Sequence, residues 1–162
     1  MSLDISSVFN STTEQEVEDN ANKLRAKSEY APGTTLLAKL NDKIVPRAKI
    51  IVKFRDSTKP AESALVDLLK VDVETDQTYR NETDNKVGLA DLKKKIEKLK
   101  NYTEKSSNDE KAVFETLTPD QKKVLTELLK DFSDKAEKLE KGLKNKNNDE
   151  GDKNKGNNTE SF

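Results

Sequence analysis

Asp72, Glu74 and Asp76 occupy every second position of the stretch KVDVETD. Side chains alternate faces along a β-strand, so three carboxylates at this spacing share one face and offer oxygen ligands to a hard cation. No Gly-punctuated calcium loop accompanies them, and a solvated polar strand face accounts for the pattern. The acidic run NNDEGDKNKG (147–156) lacks the ordered ligand spacing and the closing bidentate Glu of a calcium loop. Lys105, Ser106 and Ser107 hold a lysine beside a hydroxyl, the elements of Ser–Lys chemistry, but the start of a helix explains them better. The chain contains no His and no Cys, which removes the commonest general base, the commonest metal ligand and every thiolate mechanism. It has five glycines and neither a GxGxxG nor a P-loop pattern. The expectation is therefore a protein that is not an enzyme, with no catalytic, cofactor-binding or metal-binding residues.

Basic residues give a second chemistry. Arg47, Lys49, Lys53 and Arg55 alternate along the β-branched stretch Ile44–Phe54, with Lys39 and Lys43 preceding them. On one face of a β-hairpin such a row would track a phosphate backbone, and Phe54 would offer a ring for stacking. Aromatic residues make up only 5% of the chain, too few for the interleaved stacking platforms of single-strand binders. A charged outer face also protects an edge hairpin from pairing with other chains. Nucleic-acid binding through these four cations, aided by the lysines between 93 and 100, is the alternative function.

GLADLKKKIEKLKNY (88–102) raises the same choice. Leu89, Leu92, Ile96, Leu99 and Tyr102 recur at 3-4-3-3 spacing and form one narrow apolar stripe on a helix. Four large aliphatic side chains at ~1.5–3 kcal/mol each contribute ~6–12 kcal/mol gross when buried. A few exposed lysines near phosphates contribute less, and salt screens them. Packing therefore decides this helix. Thr118 and Pro119 give a clean start to another helix, which carries Val124, Leu125, Leu128, Leu129, Phe132, Ala136 and Leu139. The two stripes, with Leu89, Leu92, Ile96 and Leu99 on one and Val124, Leu128, Phe132 and Leu139 on the other, are the candidate protein-interaction residues, acting by packing or docking.

The elements that position these groups follow from composition and periodicity. At 31% hydrophobic and 38% charged, the chain has apolar material for one small core rather than for its whole length. Charge is laid out in blocks: −5 over residues 1–22, +7 over 23–59, −5 over 60–85 and +4 over 86–105. Alternating blocks favour internal pairing or a patterned partner over long-range attraction to a polyanion. Residues 1–13 read as a flexible, extended segment. Thr13 and Glu16 form a capping-box pattern that opens a helix over 14–28, broken by Pro32 and Gly33. Residues 34–55 read as strand, turn and strand, with Pro46 at an edge. A short helix over 61–69 and a strand over 70–75 complete an α+β region spanning 14–85. A helical hairpin over 86–144 and a disordered tail over 145–162 follow.

The expected fold is thus α+β and mostly α-helical: a small β-hairpin region, a C-terminal helical hairpin and a disordered C-terminal tail. The Lys/Glu/Asn-rich composition resembles that of small assembly and accessory proteins, including some from phages. The expected function is a non-enzymatic scaffold, adaptor or structural factor docking through amphipathic helices, with another protein or a second copy as partner. No N-terminal apolar segment or membrane span is visible, so the expected location is cytoplasmic or virion-associated.

Overall fold

Thr13 begins the first well-capped helix as its sequence requires. In the computed structural model the Glu16 amide donates to Thr13 Oγ1 at 3.0 Å. The Glu16 carboxylate reaches back one residue beyond the usual capping box, accepting from the Thr12 amide at 3.0 Å. The model describes the backbone of residues 2–71, 82–104 and 108–155, and the side chains of 5–71, 86–104 and 109–143. Eight α-helices lie among the described residues: α1 (Ser2–Phe9), α2 (Glu14–Arg25), α3 (Thr35–Lys39), α4 (Val45–Phe54), α5 (Pro60–Leu69), α6 (Glu82–Thr103), α7 (Asn108–Glu115) and α8 (Pro119–Lys155). A 3₁₀ turn (Ser28–Tyr30) follows α2. Gly33, at φ +87°, then supplies the left-handed residue that turns the chain toward α3.

No strand occurs among the described residues, which overturns the expected β-hairpin region. Residues 35–54 instead form a helical run, α3 and α4 joined by a π-helical turn (Leu40–Ile44). Pro46 gives the physical reason for the wide turn. Proline has no amide to bond the carbonyl four residues back, and its ring crowds that carbonyl. The helix loosens just before it, and the Val45 amide reaches five residues back to Leu40 O. The β-branched residues that suggested a strand are buried at helical spacing. Leu40, Ile44, Ala48 and Ile51 fall on one side, joined by Val45, Ile50 and Phe54. Propensity toward strand was overridden by tertiary burial.

Other expectations change in the same direction. The N-terminal segment expected to be extended is α1, with Ile5, Val8 and Phe9 buried. Helix α8 continues to Lys155, into the stretch expected to be a disordered tail, and residues 156–162 lie outside the described residues. The expected strand over 70–75 falls mostly outside them too. Lys70 and Val71 close α5, since both amides bond back to helix carbonyls.

The chain divides into two units interleaved in sequence. The first comprises Met1–Asp72 and Leu99–Leu128, and the second Val73–Lys98 and Leu129–Phe162. In the first, α1 and α2 pack on α4, and α4 and α7 each pack on α5. Its core gathers Val8, Val17, Leu24, Tyr30, Ile51, Leu65, Leu69, Leu99, Tyr102 and Leu125. In the second, the early part of α6 is grouped with the late part of α8. A Lys93–Glu140 ion pair at 3.4 Å links them. Leu92 and Ile96 of α6, and Phe132, Ala136 and Leu139 of α8, are buried there.

Candidate functional site: helix stripes, basic residues and the outer face of α6

Helix α8 is fixed at its start by a reciprocal capping box. The Gln121 amide donates to Thr118 Oγ1 and the Thr118 amide to Gln121 Oε1, both at 3.1 Å. This sets the register of the stripe residues expected to dock. In the first unit Leu99 and Leu128 are fully buried and Val124 is half-buried. In the second, Leu92, Ile96, Phe132 and Leu139 are buried and Leu89 is half-buried. All eight are therefore at least partly withdrawn from solvent in the folded chain.

Helix α4 carries three of the four cations of the nucleic-acid alternative and Arg55 is its C-cap, and no strand among the described residues aligns them. Successive residues on a helix turn by 100°, so positions 47, 49, 53 and 55 point around it rather than along one row. Arg47 is only 6% exposed, and its Nη1 donates to Val71 O at 3.5 Å. Lys53 Nζ donates to Thr116 O at 2.9 Å and lies 5.7 Å from the Phe54 ring centre. Arg55 Nη1 donates to Asn10 O at 2.9 Å and to Ser11 O at 3.2 Å. Those carbonyls follow the ends of α5, α7 and α1 respectively. A helix ends with unsatisfied carbonyls and the negative pole of its dipole, and a cation there satisfies both. Two side chains of α4 and that of its C-cap residue thus each reach the end of a different helix.

Lys49 does something different. It pairs with Glu18 of α2 at 2.6 Å. This hydrogen bond is the main cause that holds the Glu18 carboxyl below its ordinary range, with Arg25 assisting at 3.8 Å. Arg25 also donates from Nε and Nη2 to Asn41 Oδ1 at 3.0 and 2.8 Å. Asn41, within the 34–55 stretch read from sequence as strand, turn and strand, is a docking point for the end of α2.

The carboxylates of residues 72–76 and the Lys105–Ser107 group lie outside the described residues. Among the described residues no group of three carboxylates is placed to hold a metal ion, and no helix is long and apolar enough to cross a membrane.

The feature that sequence reasoning missed is Val87. At 61% exposed, it is the one exposed large apolar side chain among the described residues. Counting 100° per residue, Val87, Lys94 and Lys98 fall within an arc of about 40° on α6, opposite the buried Leu92, Ile96 and Leu99. Ala90, also exposed, borders this arc.

A scan against protein-family models finds no match, and searches of curated proteins and of solved structures find no relative of this chain.

Proposed function

We propose that the chain is a non-enzymatic protein-interaction factor, of assembly, scaffold or adaptor type, that meets its partner through the outer face of α6. The observation that supports this is the exposure of Val87. Every other large apolar side chain described on α6 is buried or half-buried. With the stripe residues buried or half-buried, Val87 is the exposed large apolar side chain among the described residues of α6. Burying Val87 would contribute up to about 1.5 kcal/mol, which suits the centre of a modest interface flanked by charge rather than a large obligate one.

Photo-crosslinking tests this reading. A benzophenone side chain placed at position 87 or 94 in the full chain should give protein adducts in the source extract. The same group at positions 126 and 130 on α8 should not. Equal yields at all four positions, or adducts with nucleic acid alone, would refute it.

A further inference from the structure

Among the helices of the described residues, α3 alone buries no side chain. Its two large apolar residues, Leu36 and Leu37, are only half-buried, and Ala38 is exposed. A helix of five residues has no stability of its own in water. Its main packing is against the two turns that flank it, Ser28–Tyr30 and Leu40–Ile44. Both ends are pliant. At the start, Gly33 sits at φ +87° with open space around it, directly after Pro32. At the end lies the π turn, whose wide hydrogen bond runs from the Val45 amide to Leu40 O. Just beyond these points the chain is fixed. Tyr30 and Leu40 are buried, and Arg25 holds Asn41 through bonds of 3.0 and 2.8 Å.

Two firm anchors thus bracket residues 31–39, none of which is buried. From this we infer that α3 is a hinged flap. It opens as a unit on Gly33 and the π turn while α2 and α4 stay folded. Segments with few buried apolar contacts open at free energies far below that of global unfolding. Opening presents Leu36 and Leu37 to solvent and uncovers the Ser28–Tyr30 turn on which α3 packs. Thr34 is the catch of the closed form. Its Oγ1 donates to Ala31 O at 2.7 Å and accepts from the Leu37 amide at 3.2 Å. Gly33 favours closure because it takes the left-handed conformation without the penalty a Cβ would bring.

Native-state hydrogen exchange on the full chain, followed amide by amide by NMR at rising sub-denaturing urea, tests the inference. The amides of Ala38, bonded to Thr34 O at 3.2 Å, and of Leu40, bonded to Leu36 O, report on α3. They should be protected, yet exchange at least about tenfold faster than central α4 amides and with little dependence on urea. Thr34→Val should speed their exchange about fivefold by removing the catch, and Gly33→Ala about tenfold by straining the closed form. The decisive variant is Ile51→Val, in the buried core of α4. It should speed exchange of the α4 amides several-fold and leave Ala38 and Leu40 unchanged, because the open flap keeps that core intact. Ala38 and Leu40 accelerating in step with α4 in Ile51→Val, or sharing its urea dependence in the parent chain, would overturn the inference by placing α3 in the cooperative core. Absence of protection at both amides overturns it too, as does their insensitivity to both Thr34→Val and Gly33→Ala.

Discussion

Replacing Tyr102 by phenylalanine should exchange stability at neutral pH for stability in alkali, and the two effects should cross at a definite pH. Tyr102 is 2% exposed, and its hydroxyl donates to Ala61 O at 2.5 Å. That carbonyl lies in the first turn of α5, where the amide four residues on is its other donor. Losing the tyrosine hydroxyl therefore removes one bond without orphaning the acceptor, and should cost about 1 kcal/mol near pH 7. Burial, with the nearby Glu110 charge adding to it, pushes the phenol's pKa well above its ordinary value of 10.0. The folded state then keeps a proton that the unfolded chain releases above pH 10. Since the unfolded state binds fewer protons there, stability falls as pH rises, by about 1.4 kcal/mol per pH unit for one group. Phenylalanine lacks this term. Wild type should lead by about 1 kcal/mol at pH 7–9, and the two stability curves should meet near pH ~11. Urea unfolding followed by circular dichroism at half-unit steps from pH 8 to 11.5 would show the crossing. Lysine titrations are common to both proteins and cancel in the difference. A difference independent of pH would mean that the hydroxyl is free to ionise in the folded chain, and the packing of α6 on α5 at this point would be wrong.

Three further outcomes follow from the same structure. Leu99→Ala removes a fully buried side chain and should cost roughly 2–5 kcal/mol in chemical denaturation, whereas Leu143→Ala, at a half-buried position, should cost under about 1 kcal/mol. Arg55→Ala deletes both bonds to the carbonyls after α1; hydrogen exchange should accelerate in α1, with a global loss of only about 1 kcal/mol because the arginine is exposed. Glu18→Gln breaks the pair with Lys49 at a cost of a few tenths to about 1 kcal/mol at pH 7. Because the folded carboxyl titrates below its ordinary 4.5, the wild-type advantage is complete above that pH and should vanish as pH falls through the lower folded value. Acid unfolding curves that stay apart at pH 2 would contradict that assignment.

The parts of the fold that were legible in the sequence are those set by local chemistry. Thr13 and Thr118 mark helix starts because a hydroxyl and a following Glu or Gln satisfy orphan amides wherever the chain goes. Gly33 turns the chain because only its backbone relaxes at positive φ. The stripe over 89–102 was readable because its period is helical and its other face is charged. The stretch from 34 to 55 was not readable in the same way. Ile50, Val52 and Phe54 alternate, Pro46 argues against a helix interior, and Asn41–Asp42 imitates a turn. What decides the matter is burial on two sides, by α1 and α2 and by α5, which lets apolar residues depart from a single stripe. The π turn then accommodates the proline at small cost. Neither fact is local. Val87 was invisible for the opposite reason: an exposed valine has meaning only once its neighbours' burial is known.

The four cations of α4 and its C-cap show how a chain so poor in apolar residues closes a core. Of the routes to hold short helices together, apolar burial is limited here, since α1 and α7 have eight residues each and are too short to be stable alone. Their ends are exposed dipoles with unbonded carbonyls. A long cationic side chain on a central helix covers apolar surface with its stem and satisfies such an end with its head. Arg47, Lys53 and Arg55 do this for α5, α7 and α1 from one ten-residue helix and its C-cap. The alternation that resembled a phosphate-tracking row is, on a helix, a way of sending charge in several directions at once. Arg47, Lys53 and Arg55 are thus consumed by helix ends and Lys49 by Glu18.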